Sequence, residues 1–132
     1  MKTKEKESNK LQLIGAAAYK NITEVVQRLR KSINDDDKTE KIKQEIQESV
    51  LEVSTRNGWH SPYDKDVEVE KEYLILLSAG GPATRIIGTL NAYAEPETAI
   101  LQAQDWFTEW EDFRAADEDI LLEFAWCFYF LE

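Results

Sequence analysis

Leu11, Ile14, Ala18, Ile22, Val25, Leu29 and Ile33 recur at steps of three and four, which makes one apolar face of a helix. Ser8 or Asn9 reads as its N-cap, and Asn34-Asp35-Asp36-Asp37 either ends this element or caps the next. Ile42, Ile46 and Val50 repeat at steps of four and predict a second helix from about Lys38 to Ser49. Two helices joined by a short polar connection are usually antiparallel neighbours. After Leu51 the period changes. Leu51, Val53 and Thr55 alternate with Glu52, Ser54 and Arg56, so a short strand competes with an extension of the helix.

Asn57-Gly58 and Ser61-Pro62 mark a loop. Glu72–Ser78 and Thr84–Leu90, rich in Ile, Leu and Tyr, flank Gly80-Gly81-Pro82 and read as a hairpin whose glycines permit positive φ. Asn91–Glu97 makes a further turn and Thr98–Asp105 a third strand. Asp117-Glu118-Asp119 is an acidic helix start. Ile120–Leu131 is apolar nearly all round and predicts a helix buried against the sheet. The fold class is α+β: an N-terminal helical hairpin, an antiparallel β-meander of three to four strands and a buried C-terminal helix.

A chain of 132 residues has room for one domain, with residues 1–50 as its helical part and 51–132 as the sheet-plus-helix part. Charge separates these parts. Residues 1–55 carry 11 Lys/Arg and 10 Asp/Glu; residues 56–132 carry 5 and 16, a net of −11. Such a half repels nucleic acid and attracts basic partners through fields that salt screens. Cys127 is the single cysteine, which excludes an intrachain disulfide and suits a reducing compartment. Glu5 and Glu7 interrupt the basic start, so no export signal is expected, and no apolar run is long enough to span a membrane. The expectation is a soluble cytoplasmic protein.

Asp64, Asp66, Glu68, Glu70 and Glu72 occupy alternate positions. In an extended segment all five point to one side, roughly 6.6 Å apart, a spacing of the same order as that of phosphates along one nucleic-acid strand. The competing reading is a charged side that discourages edge pairing, with Val67 and Val69 inward. Trp106, Trp110 and Phe113 share one helical face, among Glu109, Glu111 and Asp112. They either pack a core or, exposed and rimmed by acids, anchor a basic protein surface. His60, the only histidine, has Asp64 and Asp66 nearby in sequence and is the candidate for a small hydrolase or transferase. No second histidine and no ligand spacing support a metal site, and no cofactor is expected. Gly80-Gly81-Pro82 lacks the Gly-Lys-Ser/Thr of a phosphate loop.

The stretch from Arg56-Asn57-Gly58-Trp59-His60 through Leu77-Ser78-Ala79-Gly80-Gly81-Pro82-Ala83 to Gln104-Asp105-Trp106-Phe107, ending in Phe128-Tyr129-Phe130, resembles small proteins carried by bacteriophages and other mobile elements, a pool that includes anti-CRISPR inhibitors. That resemblance implies a bacterial cytoplasm and, as partner, a basic surface of a nucleic-acid-handling or defence protein, with no direct nucleic acid and no membrane. The function classes in play are a binding or inhibitor protein acting as a nucleic-acid mimic, the His60 enzyme, and a homo-oligomeric structural phage protein. In the last, the C-terminal helix or the Gly15–Ala18 face forms the interface.

Overall fold

The computed structural model describes residues 2–57, 62–63, 71–106 and 108–130. Two helices, α1 (Lys2–Lys31) and α2 (Asp36–Ser49), precede strands β1 (Glu52–Asn57), β2 (Lys71–Ser78), β3 (Ala83–Leu90), β4 (Ile100–Gln104) and β5 (Glu111–Asp112). A short helix, α3 (Glu118–Ala125), follows. The α+β class and the order of elements are those the sequence pattern predicts.

α1 runs through Ser8 and Asn9 instead of starting at them. Its first turns are built of Lys and Glu, good helix formers, and the Ser8 hydroxyl is used on Glu111, 3.1 Å away. Leu11, Ile22 and Val26 are buried, whereas Ile33 lies beyond the helix end and is 73% exposed. The Ser32 hydroxyl donates to the Leu29 carbonyl and the Thr39 hydroxyl to the Ser32 carbonyl, both at 2.7 Å, which closes the connection. Asp35 is the N-cap of α2, accepting from the Lys38 amide at 3.2 Å. The helices are antiparallel, with Arg28 bidentate on Glu45 at 2.9 and 3.0 Å.

The sheet has five strands in sequential order, all antiparallel, against an expectation of three to four. One extra strand is β5, in the segment read above as a helical face. The described residues between Trp106 and Phe113 are not helical. A turn closes from the Thr108 amide to the Asp105 carbonyl (3.0 Å), and Glu111 and Asp112 then pair with Ala103 and Gln102. At β1 the strand prevails over the helix extension, because Val50 already has extended dihedrals. α3 stops at Ala125, short of the predicted Leu131. Past it, buried Phe128 and Phe130 alternate with Tyr129, which is exposed.

Alternation along β2, β3 and β4 divides the sheet into two faces. Tyr73, Ile75, Ile86, Leu90, Leu101 and Ala103 form the inner row and join Ile22, Val26, Ile46, Leu121 and Phe124 from the three helices in the core. The register shifts between Leu76 and Ser78, where a bulge turns Ser78 inward to share a hydrogen bond with Thr84 at 2.8 Å. All three helices lie on the inner side, so among the described residues the outer row has no helical cover.

The positive φ of the β2–β3 turn belongs to Gly80, at 97°. Gly81 was expected to need that conformation; it is required instead because the Trp106 indole lies where a side chain would stand. Gly81→Ala should therefore displace this exposed ring, at a cost of about 1 kcal/mol or more. An altered tryptophan emission with a small shift in denaturation midpoint is the expected result; a loss above about 3 kcal/mol would mean a rigid contact there.

Candidate functional site

Among the described residues, no helix covers the outer row. From β1 it presents Glu52, Ser54 and Arg56; from β2 Glu72, Leu74 and Leu76; from β3 Arg85, Ile87 and Thr89; from β4 Ile100 and Gln102. The register sets Glu72 directly opposite Arg56, and the two form an ion pair at 2.5 Å. Arg85 lies opposite Gln102, whose side-chain oxygen accepts from its Nε at 2.9 Å. Trp110 stacks on this guanidinium, 4.0 Å from the ring centroid to the carbon. Burial, with the nearby charge of Arg56, pulls the Arg85 pKa below its ordinary value. Leu74, Ile87 and Ile100 lie between the two arginines and, with Ser54 and Thr89, line a shallow concavity of about 320 Å³.

β5 distributes the acidic aromatic segment between two environments. Glu111 faces the helices, accepting from Ser8 at 3.1 Å and from Gln12 at 2.8 Å, so it ties α1 to the sheet. Asp112 faces outward and accepts from Gln102 at 2.8 Å. Trp110 is half-buried on the outer row and Glu109 is exposed. Trp106 is 68% exposed at the turn end of the sheet, against Gly81. Of the residues singled out from the sequence, Glu72, Trp110 and Asp112 come together on the open face, while Glu111 is turned away from it. Asp64, Asp66, Glu68 and Glu70 lie outside the described residues, as does His60.

No protein-family model, curated protein or solved structure matches this chain.

Function therefore rests on the chain's own residues. Among the described residues no group of three or more His, Cys, Asp and Glu is placed to hold a metal ion. No described helix is long and apolar enough to cross a membrane. The Cys127 thiol is buried, and burial pushes its pKa up to about 11, which leaves it a poor nucleophile. A second cleft, of about 740 Å³, opens between the three helices and is lined by Leu29, Ile33, Lys43, Leu122 and Trp126.

Arg56, Arg85, Leu74, Ile87 and Ile100 were not singled out from the sequence. A signal existed in Tyr73-Leu74-Ile75-Leu76-Leu77, which is apolar at consecutive positions, not alternate ones. A strand of that kind has apolar side chains on both faces. The three helices cover only one.

Proposed function

We propose that this chain is a non-enzymatic binding protein that docks on a basic surface of a bacterial nucleic-acid-handling or defence protein and inhibits it, as anti-CRISPR proteins do, in place of nucleic acid. The observation that carries this reading is the outer face of the sheet, which no described helix covers. It joins an apolar centre of Leu74, Ile87 and Ile100 to a stacked Trp110 and to the carboxylates of Glu52, Glu72 and Asp112. Aromatic anchors and apolar centres with a charged rim are how protein surfaces bind one another. The net of −11 over residues 56–132 sets the sign of the partner. In sequence, Asp64, Asp66, Glu68 and Glu70 run directly towards Glu72, adding charge ahead of the strand that carries it.

The test is capture from a bacterial lysate at low and at high salt, followed by competition of the captured protein with its own nucleic acid. A basic nucleic-acid-handling protein held at low salt, released at high salt and displaced by nucleic acid is the expected result. Capture that salt does not weaken, or a captured protein that binds nucleic acid equally well in the complex, would overturn the mimicry. His60→Ala should leave inhibition within a few fold. A general acid or base is worth about 10²–10⁴-fold, and a loss of that size in a folded variant would establish the enzyme instead.

A further inference from the structure

The two edges of the sheet are unlike. β5 is two residues long, too short to template another strand. β1 is six residues long, contains neither Pro nor Lys, and keeps an unbroken register with β2 from Glu52 to Asn57. These are the features by which edges are usually protected, and β1 lacks them. Its side chains are open on both faces: Val53 is 37% exposed on the inner row, and Thr55, Arg56 and Asn57 are exposed too.

The direction of its peptide groups follows from the rest of the sheet. The Phe113 amide donates to the Leu101 carbonyl at 2.8 Å, so Leu101 and Ala103 turn their peptide groups to β5, and Gln102 turns towards β3. In an antiparallel ladder this direction alternates residue by residue. Carried through the registers, Arg85 turns to β4, Ile86 to β2, Leu74 to β1 and Ser54 to β2. The peptide groups of Val53, Thr55 and Asn57 are left pointing to the edge of the described sheet. Among the described residues none of these groups has a hydrogen-bond partner.

We infer that β1 pairs antiparallel with β1 of a second copy of this chain, about a two-fold axis at Ser54, to give a continuous ten-stranded sheet. The charge order of the strand selects this register. With Ser54 opposite its own image, Glu52 stands opposite Arg56 of the second copy and Arg56 opposite its Glu52. Both pairs lie on the outer row, where directly opposed side chains interact most strongly. Arg56 then sits between Glu72 of its own chain and Glu52 of the second copy. Val53 and Thr55 face each other as β-branched neighbours on the inner row, and their outward peptide groups form the hydrogen-bonded pairs. Sliding the strands by one residue would put side chains on mismatched faces. A slide by two would bring Glu52 against Ser54 and lose both ion pairs. A two-fold axis makes such an interface self-complementary and closed, so association stops at two copies. The inference does not rest on the proposed partner: Glu52 belongs to the face read for that partner, but the edge peptide groups of β1 do not.

Cysteine trapping reads the register. In Ser54→Cys the two thiols are opposite one another at a non-hydrogen-bonded position, with Cα atoms about 4.5 Å apart, inside the range a disulfide spans. In Val53→Cys the nearest copies are offset by two residues and lie roughly 8 Å apart or more, outside that range. In a glutathione buffer, Ser54→Cys should form a covalent dimer and Val53→Cys should not. Charge reversal reads the same contact in solution. Glu52→Arg and Arg56→Glu should each raise the dimer dissociation constant about tenfold or more, measured by sedimentation from micromolar to millimolar chain. Mixed together, the two variants should associate with each other, because each then meets its opposite charge. A wild-type chain that stays monomeric throughout, cross-linking no faster at Ser54→Cys than at Val53→Cys, or reversed variants that do not recover on mixing would each overturn the inference. Glu52, Val53 and Arg56 are exposed and Ser54 is half-buried, and an unchanged thermal transition confirms that a variant is folded.

Discussion

Gly88→Ala is expected to destabilise this protein by about 3 kcal/mol, although it adds a single methyl group. Gly88 faces inward on β3, directly opposite Tyr73 of β2. A Cβ there would collide with the Thr98 carbonyl, a backbone atom that cannot swing aside, and would fall 2.8 Å from the Tyr73 ring. Tyr73 lies across the glycine because its hydroxyl donates to that same carbonyl at 2.6 Å, while its ring packs on Phe130 with centroids 5.0 Å apart. The methyl group therefore breaks a buried hydrogen bond and separates two aromatic rings as well as overpacking the site. A fall in denaturation midpoint with an unchanged denaturant slope would report this as lost native stability. Gly80→Ala is the comparison: nothing lies within 4 Å of its added Cβ, and only the positive φ of 97° is unfavourable, at about 1 kcal/mol. Equal losses at the two positions would refute the crossing of Tyr73 over Gly88.

The same cluster fixes a dependence on alkali. Burial, with the charge of Glu118, raises the Tyr73 pKa above its ordinary value of 10.0. The protonated phenol is the form the fold holds, so its contribution is complete below the unfolded value and declines as pH rises above it.

Much of this architecture is legible in the order of apolar residues, for reasons that also explain what is not. Ile22 and Ile42 lie on long stretches of regular spacing, and their burial follows from local geometry. The hairpin about Gly80 is marked by turn chemistry that acts within a few residues. Trp106, Trp110 and Phe113 satisfy a helical spacing equally well, yet the segment is a turn followed by a two-residue strand. What decides it is pairing with Gln102 and Ala103 and the grip of Ser8 and Gln12 on Glu111, contacts with partners far along the chain. A two-residue strand is too short to show an alternation. The open face is hidden for a related reason. Leu74 and Ile87 are apolar like their inward neighbours, and composition along a strand does not say on which side the helices will settle. Charge was easier to locate than to assign: Glu111 and Asp112 are adjacent acids, and the pleat sends one to α1 and the other to the open face.

Reversing Glu68, Glu70 and Glu72 to lysine should weaken binding to the partner about 100-fold or more, whereas reversing Glu40, Glu45 and Glu48 should change it only a few fold. Both triplets alter net charge equally, so a long-range field would treat them nearly alike. They are matched in a second respect, since each contains an acid in a described ion pair: Glu72 with Arg56 and Glu45 with Arg28. They differ in place. Glu72 lies on the outer row of the sheet beside Leu74 and opposite Arg56, whereas Glu45 lies on α2, on the helical side. Glu68 and Glu70 lie outside the described residues and enter through their sequence position alone. A docked carboxylate acts through short charge-assisted contacts that are partly desolvated, so its removal is felt locally. Calorimetric titration of the purified target at two salt concentrations separates the cases, because a surface that normally holds phosphates gives an affinity that falls steeply with salt. Equal losses from the two triplets would sink the docked row and leave net charge as the whole effect. If neither triplet matters while Trp110→Ala abolishes binding, the apolar centre of the open face carries the contact and nucleic-acid mimicry is wrong.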